Sequence, residues 1–217
     1  MITMKNIFIS LILLIPALNL NAQDIGELAP PKKPMTFPSN ALGLDVMVGE
    51  SGFGLGGFYR HHLSGNFTFF TDFSFSEAKD EREIEYYDYF GNPFVIGKKN
   101  RIFQVPINFG VQYRLFENQL TDNLRPYINL GIGPALVFTT PYAKEYFSAF
   151  GDAKLKVAAG GYIGFGANLG IDQSSLIGLN MRYYYIKFFD NGVEGLVGRF
   201  KDKLQGFFVT LNIGFMY

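Results

Sequence analysis

The chain has 217 residues with 19 Lys+Arg against 19 Asp+Glu, a charge balance that excludes the basic surface a nucleic-acid partner requires. It has no cysteine and only two histidines, which excludes a disulfide framework and gives no basis for a metal or cofactor site. Its 24 Phe, 13 Tyr and 25 Gly are the unusual part of the composition.

The amino terminus reads as a secretory signal peptide over residues 1–22. Lys5 supplies the basic start, and Ile7 to Leu18 form an apolar stretch broken by Pro16. Leu20-Asn-Ala22 then offers a small residue for cleavage. The stretch is too short for a membrane helix, and no later run approaches the roughly 20 apolar residues such a helix needs. Residues 23–39 carry Pro30, Pro31, Pro34 and Pro38 with Lys32 and Lys33 and show no period, so an extended periplasmic tether is predicted.

From Asn40 to Tyr217 the sequence breaks into eight alternating segments: 40–49, 53–63, 66–78, 101–116, 125–139, 157–171, 176–188 and 205–217. Each has about the 10 residues that a tilted strand needs to cross a bilayer. Their connections alternate in length. Ser64-Gly65, Glu117–Leu124 and Asp172–Ser175 are compact, whereas 79–100, 140–156 and 189–204 are long and charged. Only Glu50-Ser-Gly52 is short on the long-loop side. Short turns at one end and long loops at the other are expected of an outer-membrane barrel with its turns in the periplasm.

Face assignment sharpens the reading. The third segment sets Phe67, Phe69, Thr71, Phe73 and Phe75 against Thr68, Phe70, Asp72, Ser74 and Ser76. The last sets Phe207, Val209, Leu211, Ile213, Phe215 and Tyr217 against mostly small or polar partners. The strand charges Asp45, Arg60, Asp72, Arg114 and Arg182 all fall on the second face. An Arg facing lipid at mid-membrane costs about 2–4 kcal/mol. A soluble eight-stranded barrel would place its charges outside. The prediction is therefore an all-β, eight-stranded antiparallel up-and-down transmembrane β-barrel over residues 40–217.

An eight-stranded barrel has just enough interior for side chains to fill. Asp45, Arg60, Asp72, Asn108, Gln112, Arg114, Asn129, Asn168, Asn180 and Arg182 are expected to form a polar network that plugs the lumen; the competing reading is a narrow conduit. Pro106 and Pro134, on adjacent strands and similarly far from the loop side, predict a bulge or a gap in pairing, read first as a strand bending at the barrel rim; the competing reading is a lateral opening for a lipid chain. His61-His62-Leu63-Ser64 is similar to the His-x-Ser motif of lipid A deacylase barrels. Its place at a turn, with no orienting acid, argues against catalysis. The stretch 79–100, acidic and rich in Tyr, predicts that the third and fourth strands extend past the bilayer as a hairpin tipped near Gly91-Asn-Pro93, read first as a solvated charged hairpin; the competing reading is an edge where a surface protein or ligand binds.

With strands, faces, turn asymmetry and a terminal aromatic in place, the chain resembles the small eight-stranded outer-membrane barrels of the OmpX-like and OmpA-like family. Phe58-Tyr-Arg-His-His-Leu-Ser64, Arg125-Pro-Tyr-Ile-Asn-Leu-Gly-Ile-Gly-Pro134 and Leu204–Tyr217 carry the resemblance. It implies the outer membrane of a Gram-negative bacterium, contact with outer-membrane lipid and lipopolysaccharide, and assembly machinery engaging the strand that ends at Tyr217. It supplies no catalytic residues. A non-enzymatic barrel serving envelope integrity or surface interaction is the leading expectation, ahead of a lipid-modifying enzyme or a porin-like channel.

Overall fold

The computed structural model describes residues 37–217 apart from 51, 81, 118–119, 121–123 and 170–172. The expected signal peptide and residues 23–36 of the expected tether lie outside the described residues. Eight long strands make a closed antiparallel barrel: β1 Asn40–Gly49, β2 Gly52–Ser64, β3 Phe67–Ala78, β6 Asn100–Arg114, β7 Leu124–Pro141, β8 Lys154–Leu169, β9 Ser175–Phe188 and β12 Lys203–Met216. Two small hairpins stand apart from it, β4 Glu85–Tyr87 with β5 Pro93–Val95 and β10 Val193–Leu196 with β11 Arg199–Lys201. The one described helix is a 3-10 segment, Ser148–Asp152.

Each barrel strand pairs with its neighbour in the chain, and β1 closes on β12 from Ala41↔Met216 to Gly49↔Phe208. Asn40 N donates to Tyr217 O at 3.1 Å, and Tyr217 N donates back to Asn40 O at 2.9 Å. Both described termini therefore sit at the end that carries the short turns. At the β2–β3 turn Gly65 holds φ +54°, a conformation that costs glycine no steric strain and most other residues some. Inside the barrel, a Cβ on Gly110 would stand 2.5 Å from Phe70 Cζ and 2.7 Å from Gly131 Cα, so glycine is what lets the Phe70 ring lie flat against the wall.

The two faces of the wall differ as the alternation predicts. Outward positions are apolar and exposed, as at Leu44 and Ile132, each 67 % accessible. Inward positions fall into three tiers. Nearest the long loops, Ala78, Ile102, Ala135, Val137, Ala158, Ile186, Phe188 and Leu204 pack with Val193 of β10 into an apolar cluster. The middle tier holds Met47, Phe70, Tyr162, Tyr184 and Phe208 around buried charges. Ala41, Phe58, Leu176 and Met216 line the turn end, with Phe37 packed against them.

The structure departs from the sequence expectation in two places. The stretch 79–100 does form a hairpin with its tip at 88–92, but as a separate two-stranded sheet and not as a continuation of the barrel strands. Asp80 is the reason: it accepts from Arg82 Nε and Nη2 at 2.9 Å each and from Arg82 N at 3.1 Å, so the chain turns just after β3. The strand charges are also not all inward: Glu77 and Lys187, within the expected segments 66–78 and 176–188, and Lys203, on β12 ahead of its expected start at 205, take the outward parity at the loop-end rim. There Lys187 and Lys203 are directly opposed on neighbouring strands and exposed. A lysine at a rim keeps its ammonium in water while its stem covers apolar surface.

Candidate functional site

The barrel topology gathers chemistry-bearing side chains at two levels of the lumen. At mid-height, parity points Asp45 of β1, Asp72 of β3 and Arg182 of β9 inward, and ring closure brings them together. Arg182 Nη2 lies 2.8 Å from Asp45 Oδ2, and its Nη1 lies 3.7 Å from Asp72 Oδ2. All three are buried. One guanidinium against two carboxylates leaves a formal excess of one negative charge, and neutral donors offset it. Asn212 Nδ2 donates to Asp45 Oδ1 at 2.5 Å; Asn108 Nδ2 donates to Asp72 Oδ1 at 2.8 Å and the Tyr162 hydroxyl to Asp72 Oδ2 at 2.5 Å. The Arg182 guanidinium also lies 5.0 Å from the Tyr162 ring centre and donates to the Tyr184 hydroxyl at 3.4 Å. Paired carboxylates with aromatic rings packed around the guanidinium make a structural centre, although Arg182 Nε and Asn108 Oδ1 have no hydrogen-bond partner among the described residues.

The sequence-predicted lumen residues divide between this centre and the turn end. Asp45, Asp72, Asn108 and Arg182 make the centre. Asn129 Nδ2 reaches the Tyr162 hydroxyl at 3.4 Å, and Asn180 is buried beside β8 and β12. Arg60, Gln112, Arg114 and Asn168 instead line a cavity of about 340 Å³ at the turn end. There Arg60 Nη1 donates to Asn168 Oδ1 at 3.1 Å, and its guanidinium stacks 4.4 Å from the Phe58 ring centre. The expected balance of two acids against three arginines is thus not one network, because only Arg182 meets the two aspartates. Arg125, Tyr127, Tyr162 and Asn212 also belong to these two levels. Inward parity was their only sequence signal, since Asn129 and Arg182 on the same or adjacent strands already pointed inward.

The remaining candidates resolve as follows. His61 Nδ1 contacts Asn40 Oδ1 at 2.7 Å on the outer side, while His62 lines the turn-end cavity with Nδ1 3.5 Å from Thr68 Oγ1; neither contacts a carboxylate. Pro106 is buried and Pro134 half-outward and exposed, so the two prolines occupy opposite faces of adjacent strands. The β6–β7 ladder lapses between Pro106↔Ala135 and Phe109↔Ile132, with no offset in register across the lapse. Gly133 lies directly against the Ile107 carbonyl within that stretch, with its Cβ position 3.2 Å from Asn108 Cα. Among the described residues no group of three or more His, Cys, Asp or Glu side chains could hold a metal ion.

At the other end the loops tie to one another. Lys98 lies 2.8 Å from Glu83 and 3.8 Å from Glu77, and Lys99 pairs with Glu194 across the two hairpins. Lys99 N donates to Gly195 O at 2.8 Å and Val197 N to Gly97 O at 2.9 Å, which docks β10–β11 on β5 and its turn. The Arg82 side chain holds the Asp80 carboxyl below its ordinary value, and Lys99 does the same for Glu194. Tyr89 and Phe90, at the hairpin tip, are 98 % and 84 % exposed.

No protein-family model and no curated protein matches the chain. Solved structures with a similar chain path include the N-terminal β-barrel domain of Pseudomonas aeruginosa OprF (13 % identity, covering 83 % of this chain and 98 % of that one, TM-score 0.47). Neisserial surface protein A is similar at 8 % identity, 82 % and 94 % coverage and a TM-score of 0.48. The Yersinia pestis attachment invasion locus protein Ail, in complex with the heparin analogue sucrose octasulfate, is similar at 12 % identity, 82 % and 95 % coverage and a TM-score of 0.42.

Proposed function

We propose that the chain is a non-enzymatic barrel of a Gram-negative outer membrane, with its lumen plugged and its loop end displayed outside the cell for interaction. One observation carries the reading: a closed antiparallel cylinder whose outward face is apolar around its girth and whose ionised groups at mid-height face inward. In water such a wall would expose a continuous apolar belt, far beyond the few hundred Å² that soluble monomers tolerate. In lipid the same wall is matched, and closure leaves no unpaired strand edge.

The belt then contacts outer-membrane lipid, and the loop-end rim, with Lys187 and Lys203, faces the lipopolysaccharide leaflet. The strand ending at Tyr217 is the segment offered to the barrel-assembly machinery. Two barriers support a plugged lumen: the apolar tier from Ala78 to Leu204 and the Arg182 centre beneath it. Support for a display role comes from Tyr89, Phe90 and Phe147, large rings held in solvent on loops that are otherwise ion-paired.

Reconstitution tests the reading. Purified chain in a planar lipid bilayer is expected to insert and to give no resolved single-channel steps, and lipid A from a deletion strain is expected to keep the parent mass spectrum. Steady conductance would replace the plug with a channel, and a changed acyl pattern would replace display with lipid chemistry. A chain that stays monomeric in buffer without detergent would end the membrane reading altogether.

A further inference from the structure

Among the described residues, the turn end of the lumen holds more cationic than anionic side chains. Arg60, Arg114 and Arg125 line one cavity of about 340 Å³, and Glu117 is the one acid among its described lining residues. Glu117 does little to neutralise them, since its carboxylate lies 3.9 Å from Arg114 Nη1 and the pair is partly exposed. Asp45 and Asp72 are engaged by Arg182 deeper in the barrel.

The arginines are built into place. Arg60 is 5 % exposed and rests between the Phe58 and Tyr127 rings, with a single side-chain acceptor, Asn168. Arg125 stacks 3.7 Å from the Phe37 ring centre, and its two Nη atoms point at Met216 Sδ, a weak acceptor, at 3.8–3.9 Å. The register sets Asn168 directly opposite Arg125 and Tyr127 directly opposite Arg114. Nε of Arg114, Nε of Arg125 and Oε1 of the buried Gln112 have no hydrogen-bond partner among the described residues. Arg60 and Arg125 held by rings, beside Arg114 with its Nε unpartnered, are matched to an oxygen-rich anion, which a guanidinium grips through two parallel hydrogen bonds.

We propose that this cavity is a binding site for a multivalent oxyanion of the phosphate-ester class. Size supports an ester or diphosphate over a lone small ion, because about 340 Å³ corresponds to roughly ten waters at about 30 Å³ each. The half-buried Phe37 ring at the cavity gives the organic part of an ester an apolar edge. Only the site's facing the periplasm rests on the membrane orientation proposed above; binding in micelles is read independently of it.

The test is isothermal titration of the full chain in zwitterionic micelles at low ionic strength, with inorganic phosphate and with pyrophosphate. Saturable binding with pyrophosphate tighter is expected. Arg60→Gln, Arg114→Gln and Arg125→Gln should each weaken it about tenfold, the loss of one charge-assisted contact. Arg199→Gln, at the exposed loop end, should leave it unchanged. Each variant is first checked for the folded, heat-modifiable gel band, so that loss of binding is read only on folded protein. Phosphatidic acid doped into the micelles distinguishes the source: competition with pyrophosphate assigns a lipid headgroup, and its absence assigns a soluble phosphate ester. No saturable heat from folded protein overturns the site, as does an equal loss in Arg199→Gln.

Discussion

Removing Arg182 should do more harm than removing either of its aspartates, and removing Asp45 as well should repair part of that harm. The charges at mid-height set the order. Wild type holds one guanidinium against two carboxylates; Arg182→Met leaves two buried carboxylates and no cation, whereas Asp45→Asn leaves Arg182 and Asp72 balanced one to one. Breaking a buried pair by deleting its cation costs about 3–5 kcal/mol. Asp45→Asn gives up the 2.8 Å contact but keeps an amide where Asn212 can still bond, so its cost is about 1 kcal/mol. In the double variant the remaining carboxylate is Asp72, which retains donors from Asn108 and Tyr162. Its loss should fall about 1–2 kcal/mol below that of Arg182→Met alone, within the range of measured couplings between contacting residues. Urea unfolding in lipid vesicles, followed by far-ultraviolet circular dichroism, measures all three variants. Additive losses, or an Arg182→Met cost under about 0.5 kcal/mol, the scale of an ordinary surface change, would refute an electrostatic centre.

Two further perturbations probe the wall and the loops. Leu179→Arg, on the outward face of β9, should cost about 2–4 kcal/mol in vesicles while Phe147→Arg in the loop costs less than about 0.5 kcal/mol; equal effects would deny the lipid contact. The Asp80 carboxyl is held below its ordinary value of 3.8 by Arg82, so the turn after β3 gains order above that value and loses it as pH falls through the lowered one. The Arg82 Nε–H resonance should therefore be protected at pH 5 and exchange faster well below pH 3.8, and an unchanged exchange rate across that interval would remove Asp80 as the cause of the turn.

Strand number and position were readable because a wall with lipid on one side and packed side chains on the other imposes a strict period of two. The same period pointed Asp45, Asp72 and Arg182 inward. It carried no information on which of them would touch. That follows from closure, which sets β1, β12 and β9 side by side and brings Asp45 level with Asn212. Arg125 shows the limit at a strand end. It opens its segment, where a charge reads as a turn residue, yet it points inward by the same parity as Asn129 and sits opposite Asn168.

The apolar cluster was illegible for a different reason. Toward the loops both faces turn greasy, as at Ile102 beside Phe103 and along Ala135-Leu136-Val137, so the alternation that marks an inward position fades. Physically the two faces need apolar groups there for separate causes: the outside meets acyl chains, and the inside must close a cylinder too narrow to hold well-solvated ions. The turn end differs: its cavity is lined by Arg60, Arg114 and Arg125. A cation approaching that cavity meets like charge, and an anion meets unused donors. The described lumen thus sets an apolar tier at the loop end over a cavity lined by cationic side chains at the turn end.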